Sequence, residues 1–294
     1  MLGLVGDEWT MLVMQQALLG ATRYGQFQTR LPISSSVLTR RLGALTDDGV
    51  LRRHRYQERP PRDEYRATAR GRGLWPVLLS IWDWERHWVP EHRESLPTMR
   101  HLTCGADFSP VLTCGACGDQ TAPGEVTATW GPSGGWSRSL PPVATRRRSV
   151  DDRRDSPAGQ YPQTMSVLGN RWAFAILVAT FTGTSRFSEF QRLLAAPPGS
   201  IADRLQTFRD NGILTTEGPH YRLTAKGAAF LPVLVTALAW AQRSFPDAEG
   251  PAVNLVHTGC GGSFSPVLRC DQCGDRLAGA TVAVVDPLVA DSSA

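Results

Sequence analysis

The sequence predicts an α+β chain, mainly α, made of two tandem domains of one plan, each followed by a small cysteine-bearing hairpin. Three observations predict it: a long-range internal repeat, a legible order of elements inside each repeat, and one His/Cys motif that closes both copies. A length of 294 residues suits two domains, and a hydrophobic content of 41% supports real cores and excludes a disordered chain.

The repeat organises everything else. Gly6-Asp7-Glu8-Trp9 matches Gly169-Asn170-Arg171-Trp172 at an offset of 163, which continues through Phe27 and Phe190 to Asp48-Gly49 and Asn211-Gly212. The offset then drops to 156 and pairs Tyr65, Thr68, Gly71, Pro76 and Trp84 with Tyr221, Thr224, Gly227, Pro232 and Trp240. The seven-residue difference falls in one loop, between Val50 and Tyr65. Such a period is too long for a solenoid, so the chain is a duplicated domain.

Within copy one, Trp9 to Leu19 reads as an apolar helix ended by Gly20, and Tyr24 to Leu31 as a short amphipathic helix stopped by Pro32. Ser34, Ser35 and Ser36 offer N-caps to a third helix, Val37 to Asp48, with Val37, Leu38, Leu42 and Leu45 on one apolar face. Val50 to Tyr56 and Asp63 to Thr68 read as two strands, and a long helix runs from Gly71 to Trp88. Three helices, a hairpin and a helix make a winged helix-turn-helix. The expected organisation is copy one over 1–100, a Cys hairpin over 101–122, a Pro/Gly/Ser-rich linker over 123–160, copy two over 161–250, and a second Cys hairpin with a tail over 251–294. Arg146-Arg147-Arg148 in the linker reads as a solvated charge run rather than a phosphate contact.

Copy one carries Arg23-Tyr24-x-x-Phe27, Ile33-Ser34-x-x-x-Leu38-Thr39-x-Arg41-Leu42, Asp48-Gly49-Val50-Leu51-x-Arg53 and Pro60-Pro61-Arg62-x-Glu64-Tyr65. Copy two holds a weaker version, with Arg186-Phe187-x-Glu189-Phe190, Arg204-Leu205, Asn211-Gly212-Ile213-Leu214 and Tyr221-x-Leu223-Thr224. With these motifs the chain resembles the HxlR-type branch of the MarR-like winged helix-turn-helix regulators of transcription. The resemblance implies a dimeric DNA-binding regulator that responds to a small molecule or an oxidant. The resemblance implies, for many relatives, a sensor Cys just before the first helix; none is expected here, since copy one begins too late to hold that segment and copy two has Tyr161-Pro162-Gln163 there.

The residues point to double-stranded DNA on their own account. A recognition helix reads bases from its N-terminal end, where copy one offers Ser34, Ser35, Ser36, Thr39, Arg40 and Arg41. The adjacent wing carries Arg52, Arg53, Arg55, Arg59 and Arg62, suited to phosphate or minor-groove contact. Arg41 has a second reading, as an ion pair with a carboxylate such as Asp48, because it recurs as Arg204. In copy two the serines become Pro197-Pro198-Gly199, Arg40 becomes Asp203, and the wing shrinks to Thr215–His220 without an arginine. Copy two is expected to bind DNA poorly. The charge agrees: residues 1–100 hold 15 Arg against 11 acids, whereas 161–294 balance at 10 basic and 10 acidic residues.

All six cysteines lie in two copies of His-x2-Cys-x9-Cys-x2-Cys: His101, Cys104, Cys114 and Cys117, then His257, Cys260, Cys270 and Cys273. Each copy supplies four donors that can close a tetrahedron on Zn²⁺ with no open position, so two structural zinc sites per chain are expected. Reduced thiols on a bare hairpin and a redox switch are the rival readings; three Cys per copy cannot pair evenly as disulfides.

No apolar run reaches the roughly 18 residues of a membrane span, and the acidic Asp7 and Glu8 speak against a signal peptide, so a cytoplasmic protein is expected. No nucleophile, base and oxyanion set can be named, so no enzyme is expected. The Trp-rich helix after the wing reads as core or dimer packing, with an effector pocket as the alternative. The copies are expected to form an internal pseudo-dimer or to pair between two chains. The competing functional reading is an interaction or ligand-sensing protein, in which copy two holds a partner or small molecule and copy one only tethers it to DNA.

Overall fold

The computed structural model describes residues 2–136, 162–169 and 171–285. Arg146–Arg148, most of the expected linker, Asn170 and the tail from 286 lie outside the described residues.

Copy one opens with α1 (Leu2–Val5) and α2 (Glu8–Leu18), and the Asp7 carboxylate caps α2 by accepting the Thr10 N–H at 2.8 Å. Next come α3 (Tyr24–Arg30) and α4 (Ser35–Asp47). Of the three serines expected to cap, Ser34 is the N-cap and accepts from Val37 N–H, while Ser35 and Ser36 form the first turn. The α4 helix ends where Gly49 adopts φ +66°, a left-handed conformation that lets Val50 N–H reach back to Leu45 C=O. Leu38, Leu42 and Leu45 are buried where α4 packs on α2 and α3.

The wing is an antiparallel pair, β1 (Leu51–Gln57) with β2 (Arg62–Ala67). The single long helix expected after it is divided into α5 (Ala69–Arg72) and α6 (Trp75–Trp88). Pro76 accounts for the division, because it lacks an N–H and is tolerated only in a helix's first turn. Gly71 is fixed by packing: a Cβ there would stand 2.3 Å from the Val50 carbonyl oxygen, and at Gly227 one would stand 2.1 Å from that of Ile213. This close approach explains a glycine that recurs in both copies.

Copy two repeats the order with α7 (Pro162–Leu168), α8 (Arg171–Phe181), α9 (Phe187–Leu194), α10 (Pro198–Asp210), β6 (Leu214–Glu217), β7 (His220–Leu223), α11 (Ala225–Ala228) and α12 (Leu231–Ser244). The continuous stretch Ala225–Ser244 has the length and mean hydropathy of a membrane span, which the sequence reading did not expect. It contains Lys226 and Arg243, packs on α6 and is more than half buried, as a core helix is.

The remaining strands join the copies. They are β3 (Thr98–His101), β4 (Pro110–Cys114) and β5 (Val126–Trp130) from copy one, with β8 (Val253–His257), β9 (Pro266–Cys270) and β10 (Val282–Val285) from copy two. Each of the six pairs antiparallel with a strand of the other copy: β3 with β10, β4 with β9, β5 with β8. The registers are reciprocal, since His101 faces Val282 while His257 faces Val126. Leu112 faces its own repeat equivalent, Leu268, which puts a local twofold axis through that pair. The expected linker therefore does not begin at 123, because β5 lies within that range. The helices obey the same symmetry. Trp84 Nε1–H donates to Lys226 C=O at 3.0 Å, and its equivalent Trp240 donates to Arg70 C=O at 2.9 Å. Glu85, fully buried on α6, accepts the Thr164 N–H at 2.8 Å across the same seam.

Candidate nucleic-acid interface and metal centres

On copy one, Ser34, Ser35, Ser36, Thr39 and Arg40 all lie exposed along the start and outer face of α4. The α3 helix braces that face. Tyr24 Oη donates to Ser35 C=O at 3.0 Å and lies 3.3 Å from Thr39 Oγ1, while Gln28 Nε2 donates to Ser35 Oγ at 2.8 Å. Tyr24 and Gln28 were not singled out from sequence as part of this surface, because their role depends on how two helices cross. Arg40 enters no ion pair among the described residues.

Arg41 behaves differently. Its guanidinium pairs with Asp7 at 2.5 Å, tying α4 to the cap of α2, so the acid that holds it is Asp7 rather than the expected Asp48. The structure sets Arg41 into the fold and leaves Arg40 facing out. In the wing, Arg53 and Arg55 lean on Asp63 at 3.8 and 3.4 Å. Arg52, Arg59 and Arg62 are exposed and enter no ion pair among the described residues. Copy two has a shorter wing, but its second strand runs on to Leu223 and so, against expectation, carries one arginine, Arg222, paired with Glu217 at 2.5 Å; its α10 begins at Pro198 and exposes Asp203.

The cysteine motifs come together in a way the spacing alone did not indicate. Each copy was expected to close its own site. Instead His101 and Cys104 meet Cys270 and Cys273, and Cys114 and Cys117 meet His257 and Cys260. Each cluster takes one knuckle from each copy because β4 pairs with β9 and β3 with β10, which carries every knuckle across the twofold axis. In each cluster the four ligand atoms lie within 4.8 Å of one another. Cys104 Sγ stands 3.4 Å from His101 Nδ1 and 4.0 Å from Cys270 Sγ, and Cys273 Sγ stands 3.4 Å from His101 Nδ1. Cys117 Sγ is likewise 3.4 Å from His257 Nδ1.

These separations fit a tetrahedral ion. Sulfurs held about 2.3 Å from Zn²⁺ at tetrahedral angles stand ~3.8 Å apart. Backbone N–H groups support the sulfurs, from Ala116 to Cys114 and from Gly262 to Cys260, each at 3.4 Å. Both imidazoles are buried, whereas Cys104, Cys117, Cys260 and Cys273 are exposed at the rim. The crowding couples the thiols. The Ala106 N–H, helped by Cys273 and Cys270, holds Cys104 below the usual thiol range. A backbone hydrogen bond from Asp275 lowers Cys273, but burial and the neighbouring Cys270 and Cys104 outweigh it and push that thiol up to about 11. A divalent cation at the centre would hold all the thiols deprotonated.

A family model described as HxlR-like helix-turn-helix matches residues 4–93 and again 167–249, more than half of the chain. The chain belongs to the HxlR-like helix-turn-helix family. An uncharacterized HTH-type transcriptional regulator of Mycobacterium tuberculosis is 35% identical over 131 residues, which is 45% of this chain and 83% of that relative. One of Synechocystis is 38% identical over 89 residues, 30% of this chain and 66% of the relative. A solved chain from Pseudomonas aeruginosa is 31% identical, with 38% of this chain and 77% of its own length covered at a TM-score of 0.33. The Mycobacterium relative is thus about half as long as this chain, as expected for one unit against a duplicated pair.

Proposed function

We infer that this HxlR-like protein is a sequence-specific DNA-binding regulator of transcription that reads DNA through copy one. The observation that carries the reading is the asymmetry of the two heads. Copy one presents Ser35, Ser36, Thr39 and Arg40 beside the unpaired Arg52, Arg59 and Arg62, whereas copy two presents Asp203 and a short wing. Hydroxyls and a guanidinium at a helix start suit base edges, and free wing arginines suit phosphates. Ser34 and Arg41 contribute by holding α4 in place, and Arg53 and Arg55 add charge to the wing despite their contact with Asp63. The relatives' description as transcriptional regulators supports this reading, which includes no catalytic step and places the protein in the cytoplasm with its DNA.

In this reading the two copies form an internal dimer that replaces the pairing of two chains. The reciprocal strand registers and the matched Trp84 and Trp240 bonds support it. The two clusters are zinc-ribbon-like structural Zn²⁺ sites that fasten the copies together: His101, Cys104, Cys270 and Cys273 hold one ion, and Cys114, Cys117, His257 and Cys260 the other. The domain scheme becomes copy one to residue 100, copy two over 161–250, and one shared ribbon layer built from both hairpins.

Gel shifts on the fragment upstream of the protein's own gene test the reading. Binding should be sequence-selective and steep in salt, and footprinting should show one half-site per chain. Equal affinity for random DNA would overturn the regulator reading, and a palindromic footprint would overturn the internal dimer.

A further inference from the structure

The duplication supplies an internal comparison. Beside α2 and α6 of copy one, under β10, lies a concavity whose counterpart in copy two lies beside α8 and α12, under β5, and the two have equivalent walls. In copy one the walls include Gln15, Trp75, Trp82 and Val282; at the equivalent places copy two has Val178, Leu231, Leu238 and Val126. Two indoles have become leucines, and the amide has become an isopropyl group.

In copy one Trp82 fills its place and is 2% exposed, with its Nε1–H donated to Pro97 C=O at 2.8 Å. In copy two the same place holds the smaller Leu238. The cavity there holds about 140 Å³, against about 120 Å³ in copy one. Its lining has no ionisable side chain, and Thr182 is its one hydroxyl. Trp130 and Trp136 close one side, packed edge to face at 5.1 Å. Trp130 is 40% exposed, so its ring borders the mouth of the cavity.

We propose that this cavity of copy two is a binding site for a small, neutral, apolar molecule with one or two aromatic rings. An apolar protein cavity of roughly 150 Å³ stays dry and accepts benzene, so the interior suits one ring and the mouth, edged by Trp130 and Trp136, a second. The absence of charge in the lining excludes an anion or cation, which would lose its hydration with no partner. Copy two, having given up the features of a DNA-reading head, has a cavity walled by aliphatic side chains where copy one has Trp75, Trp82 and the polar Gln15. The site stands on the cavity itself and does not depend on DNA binding.

The test uses the full chain and the neutral fluorophore N-phenyl-1-naphthylamine. The expected result is saturable binding of one probe per chain, with energy transfer from tryptophan. Leu238→Trp, which restores the indole of copy one, should reduce affinity at least tenfold, and Leu231→Trp serves as an independent plug if that variant fails to fold. Trp82→Leu should raise the stoichiometry toward two. Saturable binding that neither plug weakens would overturn the proposal. So would the absence of binding to the full chain, including uptake that appears only after residues 138–160 are deleted, which would assign the cavity to the chain itself. DNA affinity is read separately, so failure of the ligand site leaves the regulator reading untouched.

Discussion

Replacing Cys104 and Cys117 together by serine removes two thiols from copy one, one from each cluster. If the knuckles are exchanged between copies, this double variant loses both ions and zinc falls from two per chain to none. Replacing Cys104 and Cys273 removes two thiols from a single cluster, one in each copy, and one zinc remains. The energetic difference is large. A structural zinc site contributes roughly 10–16 kcal/mol of apparent binding energy in small peptides, so one variant forfeits twice what the other does. The first variant should also melt well below the second, because each ion fastens β3, β4, β8 or β9 of one copy to the other. Elemental analysis after gel filtration, with thermal melts, reads both effects. One zinc in the Cys104/Cys117 variant and none in the Cys104/Cys273 variant would refute the exchange, since each copy would then close its own site. A wild-type chain purified under reducing conditions without zinc would refute the metal reading altogether.

Two further outcomes concern the fold around the reading head. Arg41→Ala should lower stability by about 1–2 kcal/mol, through loss of a part-buried ion pair with Asp7, and weaken DNA binding only as far as α4 loosens. Denaturant melts check it, and unchanged stability with lost DNA affinity would make Arg41 a reading residue. Glu8 has its pKa raised to about 7 by desolvation, with repulsion from Asp7 and Glu85 adding to it. A raised carboxyl binds its proton more tightly in the folded state, so this group's contribution falls as pH rises from about 4.5 to about 7 and is flat above. Because Glu8 is partly exposed, screening leaves roughly 1–2 kcal/mol of that effect. Glu8→Gln should raise stability at pH 8 and leave it nearly unchanged at pH 4; equal gains at both would remove the titration from the account.

The parts of the fold set by local pattern were legible in the sequence. The α4 helix followed from its Leu38, Leu42 and Leu45 stripe and the wing from its two short strands, each placed to within about two residues. What stayed hidden depends on pairing between distant segments. Val126-Thr-Ala-Thr-Trp130 sits among Pro and Gly residues and reads as linker, although it alternates and its Val126 matches Val282 at the repeat offset. That match was the available signal. The eight metal-ligand candidates were identifiable by type and spacing, but their partition was not, because it is fixed by β3–β10, β4–β9 and β5–β8 pairing. Arg40 and Arg41 are adjacent and chemically alike; only the helix phase and the position of Asp7 separate the exposed one from the engaged one.

Reading of DNA mainly by copy one is tested by salt-titrated fluorescence polarisation on the bound operator. Each phosphate contact contributes about −0.9 to the slope of log affinity against log salt. Replacing Arg52, Arg59 and Arg62 by alanine should make that slope shallower by about 3 with folding unchanged, whereas Arg222→Ala in copy two should leave it as in the wild type. A slope that ignores the three wing arginines of copy one, or that falls equally when copy two is altered, would contradict the account.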